Sequence, residues 1–166
     1  MPDAGRSLRS VQITTAALRN GGGFLLQKIG AYMPSHLRLV HEDASHDTLR
    51  KYNLIYLATP YTKFAAGLDN AAAAAINLTG QLEKLEIGVY SPIADSHTIA
   101  QAAGIPLVDN DRWHKRNDRF LPLCDALLVA RMMGWNNSDG VAREIHYFEM
   151  VGKPIFHINP ETLDVY

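Results

Sequence analysis

Short apolar runs alternate with amphipathic segments along the last two thirds of the chain. Between the first two runs, alanine and leucine recur at helical spacing over about twenty residues, with Asp69 or Asn70 as the expected N-cap. The apolar runs are bounded by turn-forming residues and predict four buried strands, at residues 53–58, 88–90, 126–130 and 154–158. Strands that alternate with helices form a parallel sheet covered on both faces. We therefore predict a small Rossmann-like, flavodoxin-like α/β domain.

Two further helices are expected in the second half of this domain. Residues 110–121 place apolar side chains on one face and run into Pro122, which ends or kinks a helix. Residues 140–151 repeat apolar side chains at helical spacing and are closed by Gly152. The segment 93–108 is predicted as a loop with a possible short helix.

Residues 1–52 follow a different pattern, so we divide the chain into an N-terminal extension, 1–52, and a domain, 53–166. Gly21-Gly22-Gly23 interrupts the extension, and its short apolar stretches carry no motif with a chemical meaning. An added edge element, a partner-binding arm and a poorly ordered extension all fit this pattern.

Composition and charge exclude several classes of function. Hydrophobic residues make up 47% and charged residues 20% of the chain, which is typical of a globular domain. The formal net charge is -1, and nucleic-acid binding needs clustered Lys and Arg that the chain lacks. No run of about 18 apolar residues predicts a membrane span. The single cysteine, Cys124, fits a reducing compartment, so we expect a cytoplasmic protein.

Ligands of parallel sheets bind at the carboxyl ends of the strands, which selects three loops. The first contains Thr59, Pro60 and Tyr61, whose hydroxyls and backbone amides are suited to a base or a phosphate. The second runs from Ser91 to His97. It has no His-x-x-x-His or Cys-x-x-Cys spacing, so we predict no metal site and expect His97 to contact a ligand or order the loop.

The third loop leads from a strand through Ser138, Asp139 and Gly140 into a helix. Ser or Asp at this point caps the helix, whose free amides and dipole favour an anion. Glu144 follows near the first turn, where the dipole is expected to keep its carboxylate ionised, as a glycosidic nucleophile requires. The alternative is that Asp139 only caps and Glu144 is a surface charge paired with Arg143.

Asp118 is a second candidate carboxylate, on the helix before the third strand. It shares one side of that helix with Asp111 and could orient a sugar hydroxyl or act as a general acid. A solvated helix carboxylate without a catalytic role is the alternative.

Four motifs in this order resemble the nucleoside 2-deoxyribosyltransferase-like superfamily. They are Ile55-Tyr56-Leu57-Ala58-Thr59-Pro60-Tyr61, Ser91-Pro92-Ile93, Cys124-Asp125-Ala126-Leu127-Leu128-Val129 and Ser138-Asp139-Gly140-Val141-Ala142-Arg143-Glu144-Ile145. Within this superfamily, the chain resembles the bacterial and phage proteins called domain of unknown function 1937. It is more distantly similar to the 2'-deoxynucleoside 5'-phosphate N-hydrolases. The resemblance covers about residues 53–159.

The resemblance implies roles for individual residues. Glu144 matches the nucleophile that attacks the anomeric carbon, and Tyr56 matches the first-strand tyrosine of the hydrolases. Ser138 matches the position that binds the 5'-phosphate, and Asp139 lies near a sugar-binding aspartate of the transferases. The family's aspartate on the helix before the third strand matches Asp118.

The chain departs from the family pattern in two places. Asp118 stands seven residues before Asp125, whereas related sequences more often have eight. The hydrolases follow the first strand with a Gly-rich, Arg-bearing loop that grips phosphate. This chain has Thr59-Pro60-Tyr61-Thr62-Lys63 there, with Lys63 as a possible substitute.

We therefore predict an enzyme that cleaves the N-glycosidic bond of a nucleoside or nucleoside 5'-monophosphate, by hydrolysis or by transfer to another base. Glu144 would be the nucleophile, Asp118 would orient the sugar or handle the proton, and Tyr61, Trp113 or Trp135 would stack on the base. No metal or organic cofactor is implied. The resemblance also implies a homo-oligomer, because sites of this superfamily are often completed by a neighbouring subunit.

Three alternatives remain at this point. The same fold could bind a nucleotide without turning it over. A phosphoribohydrolase of the lysine-decarboxylase-like type would need a Pro-Gly-Gly-x-Gly-Thr-x-x-Glu run, and the loop at Asn137–Val141 lacks its glycines. An interaction or structural protein would bind no small molecule.

Overall fold

The structure is a computed structural model that describes residues 44–166, and the predictions for residues 1–43 lie outside this range. Within it the strands and helices alternate as the sequence predicts. The strands are β1 (Ile55–Ala58), β2 (Val89–Tyr90), β3 (Ala126–Ala130) and β4 (Ile155–Ile158). The α-helices are α1 (His46–Leu49), α2 (Leu68–Lys84), α3 (Pro92–Ala103), α4 (Asn110–Asn117) and α5 (Asp139–Met150).

The four strands form one parallel sheet in the order β2-β1-β3-β4. The predicted Rossmann-like α/β arrangement is thereby confirmed. From β1 the chain proceeds first to β2 on one side, and later returns to β3 on the other. At such a reversal the connections leave in opposite directions, which opens a crevice at the carboxyl ends of the two strands. The ends of β1 and β3 are therefore where a ligand site is expected.

Helices cover both faces of the sheet because successive strand residues point to opposite sides. Ile55 and Leu57 belong to a buried cluster that includes Leu82 of α2. Tyr56, between them, belongs to a second buried cluster that includes Phe148 of α5. The alternation thus sends the Tyr56 side chain toward α5, the helix that carries Glu144.

The described body begins before Asn53, the predicted start of the domain. Leu49 of α1 is fully buried in the cluster on the α2 face, and Tyr52 packs against that cluster. At the other end of the chain, Val165 forms an antiparallel bridge with Ile158 of β4. Residues before and after the range 53–159, which the resemblance covers, therefore contribute to the core.

Two predicted helix boundaries are wrong. Helix α2 begins at Leu68, with Gly67 rather than Asp69 or Asn70 as its N-cap. Gly67 has a φ of 92°, a conformation open to glycine, and its carbonyl accepts the first helical hydrogen bond. Helix α4 ends at Asn117 rather than at residue 121, and a separate 3-10 turn follows at Leu121–Leu123.

The predicted loop at 93–108 is largely helix α3, which is 12 residues long. The Ser91 hydroxyl caps it by accepting a hydrogen bond from the Ala94 amide, and Pro92 occupies the first helical position. Gly104 ends the helix in a left-handed conformation. Local start and stop signals therefore define this helix, although its apolar periodicity is weak. None of the helices described between residues 44 and 166 is long and apolar enough to cross a membrane.

Candidate active site

A cleft lies at the carboxyl ends of β1 and β3, where the reversal of strand order predicts it. Its lining comes from the loop after β1, from α3 and α4, and from the first turns of α5, with a cavity volume of about 120 Å³. The lining residues are Thr59, Tyr61, Thr62, Ile93, Ser96, Leu107, Val108, Asn110, Trp113, His114, Asn117, Ser138, Asp139, Gly140 and Glu144. Seven of the predicted site residues are therefore brought to one place: Thr59, Tyr61, Trp113, Ser138, Asp139, Gly140 and Glu144.

Glu144 lies in the wall of the cleft, between bulk solvent and the core. Only 8% of its surface is exposed. The hydroxyl of Tyr56, which is fully buried on β1, donates a 2.9 Å hydrogen bond to Glu144 Oε1. Tyr56 does not line the cleft itself. Its hydroxyl contacts the carboxyl group from the core side, so a residue of β1 positions a residue of α5.

Burial determines the protonation of this pair. Desolvation raises the pKa of Glu144 from 4.5 to about 8, although the hydrogen bond from Tyr56 and the charge of Arg143 act in the opposite direction. The expectation that the helix dipole keeps this carboxylate ionised is therefore wrong. Burial and the adjacent Glu144 also raise the pKa of Tyr56, so its phenol stays protonated and remains a donor.

The start of α5 supplies backbone donors to the same cleft. The Ser138 hydroxyl caps the helix by accepting a hydrogen bond from the Val141 amide, and the Ser138 carbonyl accepts from the Ala142 amide. The preceding amides, those of Asp139 and Gly140, belong to the first turn, where no intrahelical acceptor exists. The capping residue is thus Ser138, while Asp139 is the first helical residue and is exposed to solvent.

Two buried polar atoms in the cleft wall lack hydrogen-bond partners among the described residues. They are Thr59 Oγ1 and Asn117 Oδ1. The side chains are enclosed, with 5% and 7% exposure respectively. An unpaired buried polar group is unfavourable by about 1–3 kcal/mol, so such groups favour a ligand that supplies the missing hydrogen bonds.

Asn117, and not Asp118, reaches the cleft from the end of α4. Asn117 stands eight residues before Asp125, which is the spacing that the resemblance implies for this position. Asp118 is the C-cap of α4, forms an ion pair with Arg143 and does not line the cleft. Asn117 was therefore absent from the predicted site residues, and the eight-residue spacing was the signal that could have identified it.

A chain of three polar side chains leads away from the cleft at Tyr61. The Tyr61 hydroxyl lies 2.7 Å from Nδ1 of His97, a residue of α3 with 6% exposure. Nε2 of His97 lies 3.3 Å from Oδ1 of Asp69, whose side chain is 80% exposed. Burial and the charge of Asp69 raise the pKa of Tyr61. His97 is therefore one hydrogen bond behind the cleft surface.

The other predicted site residues lie outside the cleft lining. Ser91 caps α3, and Pro60 is buried in the loop after β1. Trp135 packs against His157 and under the Arg131 guanidinium, so of the predicted stacking residues only Tyr61 and Trp113 line the cleft.

The cleft lining among residues 44–166 contains neither lysine nor arginine. Lys63, the proposed substitute for a phosphate-binding arginine, does not line it. No three His, Cys, Asp or Glu side chains in the described range come together as a possible metal-binding group.

The family of the chain follows from comparison with known proteins. None of the curated proteins matches it. The family described as "Domain of unknown function (DUF1937)" matches residues 53–159, a range that contains all four strands, the loop before α5 and every residue of the cleft. The match covers well over half of the chain, which therefore belongs to the DUF1937 family.

Proposed function

We propose that the protein cleaves the N-glycosidic bond of a nucleoside, with Glu144 as the nucleophile. The observation that supports this proposal is the pairing of a buried carboxyl group with a protonated phenol at the wall of the cleft, 2.9 Å apart. The Tyr56 hydroxyl fixes the carboxyl group on the core side, while Glu144 faces the cleft and a ligand on the other side. The resemblance of the surrounding motifs to the nucleoside 2-deoxyribosyltransferase-like superfamily agrees with this role.

The chemistry proceeds in two steps. The Glu144 carboxylate attacks C1' of the sugar, the C1'–N bond breaks, and its electron pair leaves with the base, which takes up a proton. Water, or a second base in a transfer reaction, then attacks C1' and releases the carboxylate. The attacking molecule gives up a proton in this second step, so the enzyme returns to the form with an ionised Glu144 from which the first step began.

The raised pKa of Glu144 is compatible with a nucleophile, because the substrate changes the local charge. Positive charge develops on the sugar in the transition state, and this favours the ionised carboxylate. The Tyr56 hydroxyl donates to that carboxylate, while burial excludes the water that would otherwise screen it. The same desolvation that raises the pKa of Glu144 therefore strengthens the interaction of its carboxylate with the transition state.

The remaining lining residues suggest how a nucleoside would be held. The unpaired oxygens of Asn117 and Thr59 are suited to accept hydrogen bonds from sugar hydroxyls, and Trp113 offers an aromatic surface for a base. At the start of α5, where a 5'-phosphate is expected, Asp139 adds a negative charge without a neighbouring lysine or arginine in the lining. We therefore favour a nucleoside over a nucleoside 5'-monophosphate.

The test is to trap the glycosyl-enzyme with a slow 2'-fluoro-nucleoside. We expect intact-mass and peptide mass spectrometry to find one sugar adduct, located on Glu144. Glu144→Ala should form no adduct and should reduce base release by at least about a thousandfold, because the covalent step then lacks its nucleophile.

Glu149→Gln is the matched control, since Glu149 lies on the same helix but is exposed to solvent. It should form the adduct at the normal rate. Activity that survives Glu144→Ala, or an adduct on a different residue, would reject Glu144 as the nucleophile.

A second candidate function is the binding of a nucleoside without cleavage. The observation that favours it is that Asn117, an amide, lines the cleft where a second carboxylate was expected, while burial raises the pKa of Glu144 in the same lining to about 8. Chromatography across a panel of nucleosides and nucleotides separates the two functions. Saturable binding with every ligand recovered intact would support the binding protein and reject the enzyme.

A further inference from the structure

Cleavage of an N-glycosidic bond requires a proton donor for the departing base, because a free base anion is a poor leaving group. Glu144 cannot donate this proton while it acts as the nucleophile. Asn117 carries an amide in place of an acid, and Asp139 is exposed to solvent at the mouth of the cleft. Two lining residues remain that can transfer a proton: Tyr61 and His114.

Tyr61 differs from His114 because its side chain is hydrogen-bonded to further polar side chains that lie outside the cleft. Its hydroxyl is hydrogen-bonded to His97, which is buried, and His97 contacts Asp69 at the protein surface. Gln101 donates a 3.3 Å hydrogen bond to the same Asp69 oxygen and so helps to hold it. Among the described residues, no hydrogen bond or ion pair joins the His114 side chain to another residue.

We propose that Tyr61 is the general acid for the leaving base, and that His97 and Asp69 position it and exchange its proton. This inference rests on the proposed glycosidic activity. In the chain of contacts, Asp69 accepts from Nε2–H of His97, which leaves Nδ1 to face the tyrosine oxygen. In the proposed relay His97 carries a hydrogen on both ring nitrogens, so Nδ1–H donates to the Tyr61 oxygen and the phenol O–H donates to the base.

The proton transfers balance over the two steps. When the C1'–N bond breaks, the base nitrogen takes the Tyr61 proton, and the Tyr61 oxygen takes the proton from Nδ1 of His97. His97 is now neutral. When water attacks the glycosyl-enzyme, its proton passes to Tyr61, and the Tyr61 proton passes to Nδ1. The net reaction is nucleoside plus water to sugar plus base, with the three side chains restored.

Packing fixes the positions of Tyr61, His97 and Asp69, which together form the proposed proton relay. Tyr61 belongs to the loop after β1, His97 to α3 and Asp69 to the first turn of α2. The rings of Tyr61 and His97 meet edge to face, with centroids 5.9 Å apart. Three separate elements thus fix the tyrosine hydroxyl, which is the condition for efficient proton transfer.

The test compares two leaving groups. One substrate is a natural nucleoside, and the other is the 4-nitrophenyl glycoside of the same sugar, whose nitrophenolate departs without a proton. We expect Tyr61→Phe to reduce kcat/KM for the nucleoside by roughly 100-fold or more and to change that for the nitrophenyl glycoside by less than about threefold. Asp69→Asn should give the same selective pattern with a smaller loss, of roughly tenfold.

Tyr147→Phe is the matched control, because Tyr147 lies on α5 and packs against Phe148 outside the cleft. It should leave both rates unchanged. Equal losses of Tyr61→Phe on the two substrates would mean a structural role and overturn the relay. A selective loss in His114→Gln, with Tyr61→Phe active, would assign the proton to His114 instead. If the unmodified protein cleaves neither substrate and forms no Glu144 adduct, the glycosidic function itself fails, and the relay with it.

Discussion

Glu144 lies where two electrostatic effects oppose one another. Glu144 is the sixth residue of α5, so the helix dipole favours its ionised form only weakly, because the effect of about 0.3–1 kcal/mol falls off within the first turn. Burial favours the neutral acid far more strongly, since a pKa raised from 4.5 to about 8 corresponds to roughly 5 kcal/mol. The larger effect prevails, so the pKa of Glu144 is raised and not lowered. Ionising this buried carboxyl group would destabilise the folded protein, and carboxyl groups with such strongly shifted pKa values are typical of functional sites.

Stability should therefore depend on pH through Glu144. Its folded pKa is raised, so its favourable contribution is complete below about pH 4.5 and is lost as the pH rises to about 8. Glu144→Gln keeps an acceptor for Tyr56 but cannot ionise. We expect equal free energies of unfolding at pH 4.5. At pH 8.5 we expect the variant to be more stable by several kcal/mol, on the order of 5 at most. Urea denaturation at a series of pH values measures this difference.

Glu149→Gln serves as the control, because an exposed carboxylate on the same helix should show little pH-dependent difference. A Glu144→Gln protein whose stability runs parallel to that of the unmodified protein from pH 4.5 to 8.5 would contradict the raised pKa.

Asn117 and Asp118 are adjacent in the chain, and the sequence alone could not decide which of the two lines the cleft. Neighbouring helical residues point about 100° apart, so a shift of one position turns a side chain from the cleft to the surface. The phase of α4 against the sheet decides that Asn117 lines the cleft and that Asp118 pairs with Arg143. That phase depends on packing between elements, which spacing along the chain does not record.

At the scale of elements, the start of α5 links stability to the site. The Ser138 hydroxyl is both the cap of the helix and part of the cleft wall. We expect Ser138→Ala to lower the free energy of unfolding by about 1 kcal/mol, the usual effect of losing a side-chain cap. Nucleoside cleavage should fall as well, because the first-turn amides would lose their fixed position.

Ser45→Ala makes the comparison specific, since Ser45 caps α1 by the same kind of hydrogen bond and does not line the cleft. It should lower stability modestly and leave cleavage unchanged. Denaturant unfolding and base release measured on both variants check this pair. A Ser138→Ala protein of unaltered stability would contradict the capping role.

Helix α3 shows why one element escaped prediction from apolar periodicity. Its polar and small residues give no strong amphipathic pattern, whereas Ser91, Pro92 and Gly104 mark its start and end. The apolar pattern indicated the other long helices because they bury a continuous stripe. Helix α3 also buries His97, so missing the helix concealed the contact between Tyr61 and His97.

At the scale of the whole molecule, the site depends on two loops that touch. Gly134, in the loop after β3, has a φ of +87°, and a Cβ there would lie 2.3 Å from the carbonyl oxygen of Lys63 in the loop after β1. Gly134→Ala must therefore displace backbone. We expect it to lower the free energy of unfolding by roughly 3 kcal/mol or more and to reduce nucleoside binding.

Gly152→Ala is the matched control for this prediction. Gly152 also has a positive φ, of +67°, but a Cβ there meets nothing within 4 Å. Its loss of stability should be about 1–2 kcal/mol, from backbone conformation alone, with binding unchanged. Thermal or urea unfolding compares the two variants. Equal losses would mean that the contact between the loops is unimportant.

The sequence by itself determined the parallel α/β sheet, the approximate strands and most of the helices, and the position of the cleft at the strand ends. These features follow from apolar periodicity, turn residues and connectivity, which are properties of neighbouring residues along the chain. Tertiary structure alone decided that Asn117 enters the cleft, that Glu144 carries a raised pKa and that Tyr61 meets His97. Each of these depends on burial or contact between residues far apart in the chain, and such contacts exist only once the helices have packed on the sheet.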